Sequence, residues 1–205
     1  MFTDIFLKAA HNVWPMVFIF TIIIVSLRLF YLMCNKQKIV LYKELSMLAF
    51  IIYILLLYYI VTFQENNYGT NNLVPFKEIF RYSIFSPFFV RNVIGNILLF
   101  VPFGMFSSYY VKNKSFFPTF LLTFITSASI EFAQISIGRT ADVDDIILNV
   151  LGGVLGYLFY KSSSKIVKKM PEFIKSSNFL NVIMIFIIFL IIYVAFHFRF
   201  WGMLS

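Results

Sequence analysis

LSMLAFIIYILLLYYIVTF, residues 45–63, contains no charged residue. As a helix its 19 residues rise about 28 Å, close to the roughly 30 Å of hydrocarbon in a bilayer. Backbone placed in lipid must satisfy its own N–H and C=O groups, so only helices and closed barrels can cross. Barrel strands alternate polar and apolar residues over about ten positions; this run is apolar on every face. It reads as a transmembrane helix.

Five further apolar stretches lie on either side of it. Residues 13–33 are interrupted only by Ser26 and Arg28, and Arg28 is expected to snorkel to the headgroups. This run is longer than the core of a secretory signal, and no small-residue cleavage site follows, so it reads as a retained first helix. Residues 92–111 carry Gly95, Asn96, Pro102 and Gly104; Pro102 should kink the span and free carbonyls that neighbours must satisfy. Residues 116–137 hold Glu131 and Gln134. Residues 146–160 are short and span only if Asp145 and the preceding turn extend the helix. Residues 179–196 end in His197, Arg199 and Trp201, an interfacial anchor. The fold expected is an all-α polytopic transmembrane bundle of about six helices, five if 146–160 does not span. Its organisation reads as two helices and the start of a loop in 1–71, a three-helix core in 72–160, and a basic linker with a last helix in 161–205.

Composition agrees with this reading. The chain is 60% hydrophobic and 13% charged, whereas soluble domains carry about 25% charged residues. The net charge of +8 comes from Lys and Arg lying mainly between apolar runs, which suits anionic headgroups rather than nucleic acid. The lone Cys34 excludes an internal disulfide and any CxxC motif. With six spans, eleven basic residues fall on the side of the first, third and fifth connections and six on the other. The positive-inside rule then places both termini outside a bacterial cell membrane.

Four of the nine acidic residues, Glu131, Asp142, Asp144 and Asp145, sit in one window with Gln134, Arg139 and Asn149. Glu131 and Gln134 are three apart on one helical face. Asp142, Asp145 and Asn149 follow an i, i+3, i+7 pattern on another. A short turn containing Arg139 can bring the two faces together at one membrane edge. An ionisable residue inside a span is costly to bury, by about 3 kcal/mol on insertion scales, and is a functional candidate for that reason. Plainer readings stand beside it. Glu131 can simply pair with Arg139, and Asp142 can simply cap a helix. Mg²⁺ is a minority reading of the acidic turn, and neither a metal nor a cofactor is expected, because no second ligand motif accompanies the carboxylates. Gly152-x-x-x-Gly156 favours close helix packing. No P-loop, HExxH or Gly-x-Ser-x-Gly occurs.

The connection 64–91 opens with Asn66, Asn67, Asn71 and Asn72 and continues into an aromatic stretch with Phe80, Phe85, Phe88 and Phe89. It is either an outward functional loop or an interfacial segment resting on the membrane.

Three motifs in order, Asn72-Leu-Val-Pro75-Phe76, then Asn92-Val-Ile-Gly-Asn96-Ile-Leu-Leu-Phe-Val-Pro102-Phe-Gly104, then Glu131 and Gln134 through Gly138-Arg139, Asp142, Asp145 and Asn149 to Gly152 and Gly156, resemble the VanZ-like family of bacterial membrane proteins. The resemblance covers residues 72–160. It implies an association with reduced susceptibility to teicoplanin-type glycopeptides and supplies no catalytic chemistry. The expectation is an outward polar pocket of Glu131, Gln134, Arg139, Asp142, Asp145 and Asn149, with Asn72, Pro75 and Phe76 as a lid. Asn96, Pro102, Gly104, Gly152 and Gly156 would pack the helices. The expected partners are the bilayer and a lipid-linked cell-wall precursor or other envelope component. An intramembrane enzyme with Glu131 as acid or base, a transporter with Glu131 as proton carrier, and a scaffold remain open alternatives.

Overall fold

A helix in lipid gains little by hiding leucine from a solvent that is itself apolar, so helices associate through small residues and hydrogen bonds. The computed structural model, which describes residues 2–63, 71–84, 86–112, 115–186 and 189, follows that rule. Its helices are α1 (Phe2–Cys34), α2 (Leu41–Phe63), α3 (Pro87–Phe89), α4 (Gly95–Val111), α5 (Phe117–Ser136), α6 (Val143–Lys169) and α7 (Glu172–Lys175). A π-helical turn (Val90–Ile94) joins α3 to α4, and a 3₁₀ turn (Ile79–Arg81) lies in the loop before them. Among the described residues, five helical stretches are long and apolar enough to cross a membrane: Trp14–Cys34, Leu41–Ile60, Pro87–Val111, Phe117–Ser136 and Val143–Lys169. The short segment 146–160 is therefore the middle of a 27-residue helix. The first part of the expected span 179–196 is helical, within Ser177–Phe186, and the anchor at His197, Arg199 and Trp201 lies outside the described residues.

The chain divides into two units. In the unit formed by residues 16–52 and 166–205, Arg28 differs from its sequence reading. It makes a bidentate ion pair with Glu44, at 2.7 and 3.0 Å, instead of only reaching for headgroups. The amide N–H of Tyr42 donates to Asn181 Oδ1 at 2.8 Å in the same unit.

The other unit, residues 1–15 and 53–165, contains α4, α5 and most of α6. Its packing inverts that of a soluble core. Leu121, Phe124, Ile125 and Phe132 of α5 and Leu151, Leu155, Leu158 and Phe159 of α6 are exposed. Thr119, Thr123 and Ser127 are fully buried, as is Ser108 on α4. Ser108 Oγ lies 2.8 Å from Thr119 Oγ1, and the Asn149 amide donates to Ser127 Oγ at 2.9 Å. Glycine allows the closest approach. A Cβ on Gly104 would sit 2.8 Å from Gly153 Cα, one on Gly156 would meet the Met105 nitrogen at 2.8 Å, and one on Gly152 would meet Phe100 Cβ at 3.0 Å. The α4 and α6 backbones touch, leaving no room for a side chain between them.

Helix α4 runs through Pro102. Beside it, the Tyr53 hydroxyl of α2 donates to the Leu99 carbonyl. Pro102 removes the N–H that would serve the Leu98 carbonyl, one residue before the carbonyl that Tyr53 takes.

Gly153→Ala should lower the melting temperature of the detergent-purified protein, because the added carbon would lie 2.9 Å from Thr123 Cβ and such overpacking costs about 1–3 kcal/mol. Leu155→Ala, on the exposed face, should move it little.

Candidate functional site at the junction of α5 and α6

Helix α5 ends in a Schellman motif. Gly138 adopts φ +82°, its N–H donates to the Ile135 carbonyl at 3.0 Å, and the Arg139 N–H donates to the Gln134 carbonyl at 2.9 Å. Nothing lies within 4 Å of where a Gly138 Cβ would be, so backbone conformation, not space, asks for glycine here. Four residues after Gly138, Asp142 precedes the first residue of α6, Val143. Its Oδ1 accepts the Asp144 N–H at 2.9 Å, which is N-cap geometry, and the acids at this end suit the helix dipole.

The tight turn brings the two polar faces together. Glu131, buried on α5, accepts the Asp142 N–H at 2.9 Å through Oε2. Gln134 is buried one turn further on. Arg139 is half-buried and within electrostatic reach of Glu131 and Asp145. Asp145 accepts the Asn96 amide of α4 at 2.6 Å. Asn149 lies one turn deeper and turns its amide to Ser127 rather than to the carboxylates. Asn96, assigned from sequence to helix packing, is thus a hydrogen-bonding member of the cluster.

The loop before α4 closes on this junction. Asn72 and Asp142 form a parallel bridge: the Asn72 N–H donates to Ala141 O at 2.9 Å and the Val143 N–H donates to Asn72 O at 3.0 Å. The Asn72 side-chain amide donates to Asp142 Oδ1 at 2.8 Å. Pro75 is exposed, and so is the ring of Phe76, while the Phe76 N–H turns inward.

Its acceptor is Asp144, the residue that sequence reasoning left without a role. Asp144 is 1% exposed. It takes the N–H groups of Phe76, Glu78 (2.7 Å) and Ile79 (3.2 Å) on its two oxygens. A buried carboxylate without such donors would be strongly destabilising. With them it fastens the loop, each charge-assisted bond contributing about 1.5–3 kcal/mol. Helical phase did not signal this: Asp144 lies eight and twelve residues before Gly152 and Gly156, about 80° and 120° round the helix from them.

Chemically, the junction can offer carboxylates, amides and one guanidinium to a polar or charged group. Among the described residues, no three of His, Cys, Asp and Glu are arranged to hold a metal ion. Burial holds the Asp142 carboxyl above the usual carboxylate range, with Asp144 and Glu78 adding like-charge repulsion against the downward pull of its hydrogen bonds.

Asp144→Asn should leave one good acceptor for three donors, so amide hydrogen exchange at Phe76, Glu78 and Ile79 should accelerate by roughly tenfold or more. Unchanged protection would contradict the clamp. A folded state that raises a carboxyl's pKa binds more protons than the unfolded chain. Stability from Asp142 therefore falls as pH rises from the ordinary carboxylate range towards the raised value. Asp142→Asn keeps an acceptor without the charge, so its stability relative to the unsubstituted protein should increase over that interval and level off in acid.

Comparison with known proteins gives the same region prominence. A family model described as VanZ/LLP1 matches residues 50–168, close to the limits of the unit that holds α4, α5 and most of α6. Protein VanZ of Enterococcus faecium is 33% identical over 96 residues, which is 46% of this chain and 54% of that protein. The chain thus spans about half the length of that curated relative. No solved structure matches. With more than half of its residues covered by the family model, the chain belongs to the VanZ/LLP1 family.

Proposed function

We propose that the chain is a multi-pass protein of the bacterial cell membrane, with both termini outside, that lowers susceptibility to teicoplanin-type lipoglycopeptides. It does so by binding or altering an envelope component, such as a lipid-linked cell-wall precursor, at the α5–α6 junction. Membership of the VanZ/LLP1 family and similarity to Protein VanZ support the resistance reading. The observation that carries the site is the gathering of Glu131, Arg139, Asp142 and Asp145 with Asn72 and Asn96 at one end of the helices. Lys and Arg placement supports an outer position for that end, where glycopeptides act. In this reading Arg139 engages a phosphate or carboxylate, which its planar fork suits, and the acids orient it.

A second reading, an intramembrane enzyme acting on a lipid-linked substrate, draws on Glu131. It is a buried carboxylate beside other acids, a setting in which general acid–base groups are found.

The test is a susceptibility assay with fluorescent teicoplanin binding in a bacterial host, at matched membrane abundance. The unsubstituted protein should reduce antibiotic binding, and Arg139→Ala and Glu131→Gln should restore it. No effect of the unsubstituted protein would remove the resistance reading. Full activity of Glu131→Gln would remove the enzymatic one.

A further inference from the structure

The loop that closes on the junction turns its side chains the other way. Leu73, Val74, Phe76, Phe80, Ile84 and Phe88 are all exposed, Phe80 at 83% and Ile84 at 72%. This face is rigidly presented. Asp144 holds the backbone of residues 76–79 inward, the Asn72–Asp142 bridge holds its start, and Asn92 donates to the Tyr82 hydroxyl at 3.0 Å near its end. Phe76 sits at φ +67°, a left-handed conformation that a bulky residue adopts only when its surroundings impose it. With the polar backbone turned to α6, the aromatic side chains have no inward direction left.

We infer that this face seats in the headgroup layer of the leaflet at that end, as an interfacial element continuous with the transmembrane helices. Continuity is the first argument. Ile84 lies three residues before Pro87, where the span Pro87–Val111 begins, and Phe88 belongs to that span. The face therefore stands at the membrane edge. Composition is the second: exposed rings and aliphatic side chains alternate with Lys77 and with Arg81, which also pairs with Glu78 at 3.1 Å. Apolar side chains interleaved with basic ones match the boundary between acyl chains and anionic headgroups. An apolar surface of this extent facing water would be unusual for a monomer. The seat is independent of what the α5–α6 junction binds.

The experiment uses the full chain reconstituted in vesicles of phosphatidylcholine and phosphatidylglycerol. Cys34, the sole cysteine, is replaced by serine, and nitroxide labels are placed singly through Phe80→Cys, Ile84→Cys and Lys77→Cys. All three sites are exposed, and the one ring contact touched, Phe76 with Phe80, is between two exposed side chains. Power saturation should show relaxation by oxygen over a water-soluble nickel chelate several-fold higher at 80 and 84 than at 77. Equal access of nickel to all three would place the loop in water and overturn the inference. Labels at 80 and 84 shielded from both reagents would mean that protein covers the face, and would overturn it equally. Depth is read without any antibiotic, so its failure is distinguishable from failure of the resistance reading.

Discussion

Helix α4 meets helix α6 at Gly104 and Gly153 with no side chain between them, and the geometry of the family region depends on that approach. In lipid, apolar side chains have no reason to prefer the interior, and dispersion contacts and hydrogen bonds act only over short distances. Small residues make those distances reachable. Once Gly152, Gly153 and Gly156 let α6 lie against α4, the first turn of α6 comes to the first turn of α4, and Asp145 reaches Asn96 at 2.6 Å. The hydroxyl seam of Ser108, Thr119, Thr123 and Ser127 serves α5 in the same way.

A second constraint acts beside the first. Asp144, in the first turn of α6, is buried, and a buried carboxylate needs donors. The donors that meet it are the backbone amides of Phe76, Glu78 and Ile79, which stand in the loop and at the start of its 3₁₀ turn. One charge therefore converts an irregular loop into a fixed element, with its polar backbone inward and its aromatic side chains outward. The acids at the junction thus divide their work: Asp142 caps α6, Asp144 holds the loop, Asp145 links to α4, and Glu131 links α5 to the start of α6.

Much of this was legible in the residues. Long uncharged runs gave the helices, because lipid forbids unpaired backbone. The i, i+3 spacing of Glu131 and Gln134 put both on one face of α5. The window from Glu131 to Asn149 contains the residues that gather at the junction. Less legible was which acid does what. Asp142, Asp145 and Asn149 look like one face in projection, yet Asn149 turns to Ser127 and Asp144 is the most buried of the acids. Arg28 was likewise readable as a charge in a span, but its partner sixteen residues away was not.

What the amino-acid order alone determined is therefore local: which segments must be helical and which positions must be small. Hydropathy, capping and glycine conformation are properties of neighbouring residues, and they can be read along the chain. Only the tertiary structure decided that Asp144 faces the amides of Phe76, Glu78 and Ile79, that Asn96 faces Asp145, and that Asn72 pairs with Asp142. These partners lie between 49 and 70 residues apart. Hydrogen bonds act over about 3 Å, so such pairings exist only after glycine contact has set the helices side by side.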